Sequence, residues 1–327
     1  MGGMNGVRPV LVKMVEAIGL ADRDRGELVL PDHRSTFAVA GSAGPVSGLT
    51  DMLYRHFYCV PEPEKVKESA DPASFLAALR AANPVPARAM DGWTIVQADT
   101  AGYLLADANG RRRRATMAEI APLQGGLAPG QPVRLSPLRE MLTGAAGHYI
   151  VLGRPMSDPR HGRQLRFYWN VEAEAAATFL AAIGSGLDRR RIPFQAKVPA
   201  DPRGFGRADC GVLYLDDEEA AAAVDVVQSV HAALSSGLRP ATPLFARRLA
   251  PGLAWAEGPP GGESFGMQRC RLVAEGLVLA FEGGARTAAA RIRAVLERMK
   301  GYGLDLDAVE RNPGAHYPYS FERFGKA

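Results

Sequence analysis

Four charged side chains stand inside or beside apolar, strand-like runs in the second half of the chain. Arg166 and Lys197 belong to two such runs, and Arg207 and Asp209 precede a third. A buried charge is costly unless it is paired or used. Several cations that converge on one face of a sheet would form an anion site, so this stretch is the first candidate for chemistry.

The same stretch contains a series of short motifs in a defined order. They are Arg-x-Tyr-x-Asn (166–170), Ile-Pro-Phe-x-x-Lys (192–197), Arg-x-Asp (207–209), Val-Leu-Tyr (212–214) and Gly-Glu-Ser-Phe-Gly-x-x-Arg-Cys (262–270). This order resembles the HopA-type family, first known as bacterial type III secretion effectors. Relatives in that family act as lyase components in class V lanthipeptide and thioamitide biosynthesis. The resemblance implies elimination of phosphate from phosphoserine or phosphothreonine in a ribosomal precursor peptide, which leaves dehydroalanine or dehydrobutyrine.

Such an elimination needs a base, cations that hold the phosphate, and a proton donor for the leaving oxygen. Lys197, at the end of an apolar strand, is the candidate base. A lysine acts as a base only when neutral, and its reference pKa is about 10.4. Burial and the nearby cations Arg166 and Arg207 would lower that pKa. The alternative is a strand-end lysine that extends to solvent.

Two places in the sequence could bind the phosphate. Arg207 and Asp209 alternate and so point the same way in an extended segment. Asp209 either orients the guanidinium on a phosphate or forms an ion pair that pins the loop 199–208. Arg269 lies one turn inside a helix that starts near Ser264, where free N–H groups would favour an anion. The alternative is that Ser264 only caps the helix and Arg269 is a surface residue.

A polar stripe adds two further candidates to Arg166. Arg166, Tyr168 and Asn170 alternate along one predicted strand and share one face. Tyr168 could donate a hydrogen bond to the leaving oxygen or complete the packing. Asn170 could bind substrate or cap the next helix.

The proton donor is the least determined member of the site. His148 and His316 each stand beside a tyrosine, and Tyr149 competes with them for the role. His231 falls on the apolar side of a predicted helix and is interpreted as a core residue.

Composition narrows the class of protein. The chain has 327 residues, 47% apolar and 23% charged, as is usual for a soluble globular protein. A net charge of +4 permits an acidic ligand but gives no argument for nucleic acid. The three cysteines lack metal-ligand spacing, so no bound metal is predicted. Their odd number and wide separation predict reduced thiols in a cytoplasmic protein. No stretch is long and apolar enough to predict a membrane segment. The sequence contains no nucleotide-binding motif, so no cofactor is predicted.

The elements that position the site are predicted from periodicity and turn residues. Strands mixed with segregated helices predict an α+β fold with an antiparallel sheet core and a smaller amino-terminal subdomain with a β-meander. We place the subdomain, with a possible role in binding peptide or partner, at 1–140 and the lyase-like domain at 141–327. Helices are expected at 9–20, 69–82, 171–183, 216–234, 265–280 and 285–300.

The predicted strands form two groups. A meander is expected over 91–135, with the Asn109-Gly110 turn as its hairpin signal. A second hairpin is expected between 147–153 and 163–169, followed by strands at 192–198 and 211–215. Residues 38–50 are expected to be loop, and 53–59 could be helix or strand.

The expected partners are a phosphorylated precursor peptide and a separate phosphotransferase-like kinase, because the chain has no kinase signature of its own. The arginine run Arg111–Arg114 is either a solvated hairpin or a surface for an acidic leader peptide or the kinase. Two alternatives to the lyase remain. One is a protein that binds phosphopeptides without catalysis, and the other is a secreted effector.

Overall fold

The computed structural model describes most of the chain. The described residues are 7–22, 27–29, 36–38, 44–59, 71–100, 102–144, 147–157, 163–315, 318–319, 321 and 324. They form an α+β protein in which three antiparallel sheets combine with separate helices. The fold class predicted from the sequence is therefore confirmed.

The amino-terminal part is mainly helical. Its elements are α1 (Val7–Ala17), β1 (Gly19–Asp22), β2 (Glu27–Val29), β3 (Thr36–Ala38), α2 (Pro45–Leu53), a π-helix (Tyr54–Tyr58) and α3 (Pro72–Ala81). The side chain of Asp71 accepts a hydrogen bond from the backbone N–H of Ser74, and this cap begins α3 as predicted.

Helix α2 corrects the loop expected at 38–50. Pro45 occupies its first turn, where the missing N–H of proline leaves no helical hydrogen bond unmade. The helix then buries Leu49, Met52 and Leu53. The turn-forming residues before Pro45 concealed this apolar face.

Residues 90–135 form the predicted meander. Its strands are β4 (Met90–Asp99), β5 (Gly102–Asp107), β6 (Arg112–Ala115), β7 (Ile120–Pro122) and β8 (Pro132–Leu135), in the order β6-β5-β4-β8-β7. Trp93, Leu105 and Val133 are among the residues of its own small core.

The arginine run of the meander is engaged in ion pairs. Arg111 pairs with Asp107, Arg113 with Glu119 and Arg114 with Asp99. The side chains of Arg113 and Arg114 are 18% and 29% exposed, so the run stabilises the hairpin more than it offers free charge.

The main sheet and the helices around it form the rest of the protein. These elements are β9 (Glu140–Thr143), β10 (His148–Leu152), β11 (Gln164–Trp169), α4 (Ala176–Arg189), β12 (Gln195–Pro199), β13 (Gly211–Asp216), α5 (Ala220–Ala233), β14 (Arg247–Ala250), β15 (Leu253–Glu257), α6 (Phe265–Glu282) and α7 (Ala288–Gly301). The sheet has the order β14-β15-β11-β13-β12-β10-β9.

The strand pairing corrects the hairpin expected between 147–153 and 163–169. β10 pairs with β9 and β12, whereas β11 pairs with β13 and β15. Both predicted strands exist, but β12 and β13 lie between them. Local turn signals cannot show this, because the partners are chosen by packing across the whole sheet.

The two faces of the main sheet are covered by different helices. One face packs Val151, Phe167 and Trp169 into a core with α4 and α5. The other face contributes Tyr168, Val212 and Ala256 to a core that includes residues of α1, α2, α6 and α7. The second face contains the candidate site.

Helix α4 continues through Gly184 and Gly186, where the sequence predicted its end. A Cβ on Gly184 would lie 2.6 Å from Cγ of Pro84, and one on Gly186 would lie 2.5 Å from Cγ1 of Val226. The glycines therefore permit close packing of α4 against its neighbours instead of ending the helix.

Candidate active site

Strand register brings His148 and Lys197 to the same face of the main sheet. Lys197 pairs with Ile150 on one side and with Val212 on the other. Residues that pair directly point to the same face, and so do residues two apart on one strand. His148 is therefore the diagonal neighbour of Lys197, a separation of about 7–8 Å in such ladders.

The charges around His148 are predominantly positive. Burial, the largest cause, and the cations Lys197 and Arg207 together lower the pKa of His148 from 6.5 to about 4, against a smaller opposing effect of Asp209. His148 is therefore a neutral imidazole near pH 7. Two cations and one carboxylate around a neutral ring leave a net positive charge that an anion could balance.

Arg207, one of these two cations, is held in a fixed orientation. Its Nε and Nη2 donate to the two carboxylate oxygens of Asp209, each at 2.9 Å. Nη2 also donates to the Tyr54 hydroxyl at 2.7 Å, and the guanidinium lies 5.1 Å from the centre of the Tyr54 ring. Burial lowers the pKa of Arg207, but the hydrogen bonds and charge of Asp209 raise it overall, so the guanidinium stays charged.

The alternation of Arg207 and Asp209 predicted this ion pair. The pair pins the loop between β12 and β13, as one interpretation held, yet it leaves part of the guanidinium available. The Arg207 side chain is 40% exposed, and no hydrogen bond donated by its Nη1 is found within the described ranges.

Tyr214 lies between the lysine and the predicted polar stripe. Nζ of Lys197 is 5.8 Å from the centre of the Tyr214 ring, and Cζ of Arg166 is 5.4 Å from it. Within the described part of the chain, Lys197 has no ion-pair partner. Its amine is therefore half-buried against an aromatic ring without a neutralising carboxylate.

Comparison with known proteins connects this geometry to a family. The model of the HopA1 effector protein family matches residues 143–311, more than half of the chain. The chain belongs to the HopA1 effector protein family. The matched region includes His148, Lys197, Arg207 and Asp209.

Two solved structures of bacterial effector proteins are similar to this chain. The effector protein from Pseudomonas syringae pv. tomato strain DC3000 has a TM-score of 0.51 at 16% identity, with 94% of this chain and 96% of that chain covered. The effector protein from Pseudomonas syringae pv. syringae strain 61 has a TM-score of 0.45 at 16% identity, with 80% and 88% covered. The first likeness shows a common fold. No curated protein matches the chain.

Within this HopA1-family fold, Arg269 lies away from the cations at Lys197. It is fully buried, and its Nε and Nη2 donate to the carbonyls of Val309 and Arg311 at 2.9 and 2.7 Å. Nη1 donates to the Gln268 side chain. Burial lowers its pKa to about 10, which still leaves it charged. Arg269 therefore anchors the segment after α7 and has no donor directed at the candidate site.

Ser264 occupies the N-cap position of α6, as predicted, but its side chain makes no capping hydrogen bond. The carbonyl of the preceding residue, Glu263, accepts a hydrogen bond at 2.9 Å from Nη2 of Arg166. Arg166 is 5% exposed, so its guanidinium secures the start of α6 against the sheet. Neither residue joins His148 and Arg207.

Tyr168 is also a buried member of this layer. Its hydroxyl is hydrogen-bonded to Tyr58 and Arg166. Burial raises its pKa to about 12, so the phenol remains protonated at neutral pH. Tyr168 and Arg166, two members of the predicted polar stripe, thus lie on the same face of the main sheet as the candidate site, but both are buried.

Tyr149 and Asn170 are not at the site. Tyr149 follows His148 on β10 and so points to the opposite face, where it is fully buried and donates to Glu140 at 2.8 Å. Asn170 is 2% exposed; it donates to the carbonyl of Ala241 and accepts from Arg239. Helix α4 starts later, so Asn170 does not cap it. His316 lies outside the described residues.

The site contains a tyrosine that sequence reasoning did not select. Tyr54 was only part of an aromatic stretch, and its position beside Arg207 depends on a π-helix far away in sequence. The excess of aromatic residues at 53–59 was the available signal, but it did not indicate a partner.

The described residues contain no cluster of histidine, cysteine or acidic side chains suited to a metal ion. Cys59, Cys210 and Cys270 are buried and carry no disulfide. None of the helices in the described ranges has the length and apolarity needed to span a bilayer.

Proposed function

We propose that this protein is a lyase that eliminates phosphate from phosphoserine or phosphothreonine in a ribosomal precursor peptide. The observation that carries the proposal is the position of His148 at one end of the main sheet, on the same face as Lys197, where the positive charges of Lys197 and Arg207 lower its pKa. A phosphoester is the kind of dianion that such a group of charges would bind. Membership of the HopA1 family supports the same conclusion.

In the proposed reaction, Lys197, a cation in the free protein, first releases its proton to solvent, and the resulting neutral amine removes the α-proton of the phosphorylated residue. The electron pair of the Cα–H bond forms the Cα=Cβ bond, and the Cβ–O bond breaks. The phosphate leaves with the electron pair of that bond, and Arg207 balances its charge. The products are a dehydroamino acid, inorganic phosphate and a protonated lysine, so the step needs no redox partner.

His148 is the proposed proton donor to the leaving oxygen. In the free protein its pKa of about 4 keeps it neutral. A bound phosphoester would offset the cations that lower this pKa, so substrate binding itself would favour the protonated imidazole. Protonation near the leaving oxygen is then coupled to occupancy of the site.

A separate kinase would supply the substrate, since the proposed reaction consumes a phosphorylated peptide and the chain lacks kinase motifs. We place this enzyme with its precursor peptide in the cytoplasm, away from nucleic acid and membrane.

Mass spectrometry of a synthetic phosphothreonine peptide, treated with purified protein, tests the proposal. We expect a loss of phosphoric acid with the natural protein and none with Lys197→Ala. Lys300→Ala is the matched control, because Lys300 is an exposed lysine on α7. Intact phosphopeptide at saturating protein would overturn the lyase assignment. Tight binding of that intact peptide would instead support the non-catalytic alternative.

A further inference from the structure

Exposed apolar side chains are concentrated at one edge of the main sheet. Leu138, Met141 and Leu142 are 52%, 42% and 44% exposed, and they fall within five consecutive residues. Met141 and Leu142 belong to β9, the outermost strand on this side. Natural proteins usually protect such an edge with charge, proline or a covering element. Exposed apolar residues here therefore indicate an interaction surface.

The backbone of β9 presents free hydrogen-bonding groups along this edge. The N–H of Leu152 on β10 donates to the carbonyl of Arg139 at 2.9 Å, which fixes the alternation of the ladder. Met141 lies opposite Ile150 in the same register, so its backbone N–H and C=O groups form hydrogen bonds with β10. The backbone N–H and C=O groups of Glu140 and Leu142 point away from β10. No strand in the described ranges pairs with that outer side.

The same strand leads to the candidate site. Thr143, the last residue of β9, lies opposite His148, and its Oγ1 accepts a hydrogen bond from the His148 backbone N–H at 3.1 Å. Thr143 and Met141 therefore share the sheet face of Lys197. A chain that runs along the outer side of β9 reaches the end of the sheet where His148 lies.

We infer that β9 is the docking strand for an extended segment of the substrate peptide, next to its phosphorylated residue. Outward N–H and C=O groups are complementary to another extended backbone, the mode of recognition known as strand addition. Met141 and Leu142 point to opposite faces, so they favour a segment that is apolar on both faces. This inference rests on the proposed function for the identity of the peptide, but the edge geometry is independent of it.

The distance from a strand added outside β9 to His148 on β10 can be spanned by a few residues of the same peptide. A strand added outside β9 would lie two strand spacings from β10, or about 9.6 Å. An extended chain advances about 3.3 Å per residue. About three residues beyond the docked segment would therefore bring a phosphorylated side chain to His148.

Two synthetic peptides separate docking from chemistry. One is acetyl-Ala-phosphothreonine-Ala-amide, and the other flanks the same residue on both sides with valine and isoleucine, so that the extended segment is apolar on both faces. We expect kcat/KM to be about thirtyfold higher for the flanked peptide, since each of two added backbone hydrogen bonds would contribute a factor of about five. Leu142→Pro should remove most of this gain and leave turnover of the short peptide unchanged. The proline deletes an outward N–H and no bond to β10.

Thermal unfolding checks that Leu142→Pro is folded, and Leu142→Lys is a second variant that keeps the N–H but places charge at the edge. Leu279→Lys is the matched control, because Leu279 is a 54% exposed leucine on α6. An unphosphorylated, fluorescent form of the flanked peptide gives an affinity that does not depend on catalysis. We expect this affinity to fall about tenfold in both Leu142 variants and to be unchanged in the control.

The outcomes distinguish the two proposals. Binding that is sensitive to Leu142, without turnover of either peptide, would refute the lyase and retain the docking strand. Equal kcat/KM for both peptides, or a gain that survives in both Leu142 variants, would overturn the docking strand alone. A stable dimer in sedimentation equilibrium that Leu142→Pro dissociates would also overturn it, because β9 would then pair with a second copy.

Discussion

The Tyr54 hydroxyl accepts a hydrogen bond from Nη2 of Arg207 at 2.7 Å, although 153 residues separate them in sequence. Tyr54 also donates to Asp209 at 3.2 Å, so one phenol contacts both members of the ion pair. The amino-terminal π-helix thus positions the guanidinium that we assign to phosphate binding.

Tyr54→Phe tests this positioning role. It removes two hydrogen bonds but keeps the ring beneath the guanidinium, so the variant should fold normally. We expect about a tenfold rise in KM for a phosphopeptide with little change in kcat, because hydrogen bonds to charged groups are worth about 1.5–3 kcal/mol. Tyr103→Phe, in the meander, is the control. A KM equal to that of the natural protein would show that Tyr54 has only a packing role.

Arg207→Ala should reduce kcat/KM by at least about a hundredfold if this residue binds the leaving phosphate. Arg203→Ala provides a close comparison, since Arg203 lies in the same loop and pairs with Asp201, also two residues away. Steady-state kinetics with a phosphothreonine peptide measures the difference. Equal activity of the two variants would exclude Arg207 from the phosphate site.

The pKa of His148 can be followed by NMR of the labelled imidazole. Its pKa of about 4 is below the ordinary value of 6.5, so the unfolded chain binds the proton more readily than the folded protein. This residue therefore lowers the free energy of unfolding as pH falls from about 6.5 towards 4. Lys197→Met should raise the pKa, and so should addition of phosphothreonine amide. An unchanged pKa with that ligand would show that the phosphoryl group does not bind beside His148.

Asp216 predicts a pH dependence of stability with a different origin. Burial raises its pKa from 3.8 to about 6, against the hydrogen bond from the Ser157 backbone N–H. Both states bind this proton below pH 4; above pH 6 the folded protein contains a buried carboxylate. The protonated Asp216 carboxyl therefore stabilises the folded protein at low pH, and this stabilisation is lost as pH rises from about 4 to 6. The resulting decrease in the free energy of unfolding is on the order of 3 kcal/mol. In urea unfolding, Asp216→Asn should remove this loss.

Arg269→Leu should destabilise the protein by about 3 kcal/mol or more, because the carbonyls of Val309 and Arg311 would lose their buried donors. The folded fraction should retain its kcat/KM, since Arg269 is not among the groups assigned to catalysis. Chemical denaturation and kinetics on the same preparation measure both effects. Normal stability with lost activity would return Arg269 to the phosphate site.

The sequence was informative about elements with strong local signals. Asp71 and Pro72 located the start of α3, and the Asn109-Gly110 turn located a hairpin of the meander. The alternation of Arg207 and Asp209 predicted their ion pair, because residues two apart in an extended segment point the same way. These features depend on neighbours in the chain.

The errors share a dependence on distant partners. β10 and β11 were assigned to one hairpin although β12 and β13 separate them. Arg269 was predicted to bind phosphate at a helix start or to be a surface residue, but a segment about forty residues later buries it. Tyr54 gave no sign of its contact with Arg207. Periodicity describes one element at a time, so it cannot show which elements meet.

We propose that His148, Lys197 and Arg207 together eliminate phosphate without hydrolysing the ester. Combined phosphorus and proton NMR of a phosphothreonine peptide, followed during incubation with the protein, tests this most directly. We expect inorganic phosphate and the vinyl proton of dehydrobutyrine to appear at equal rates, and both to be absent with Lys197→Ala. Phosphate release that regenerates threonine without a vinyl signal, or no release at all, would contradict it.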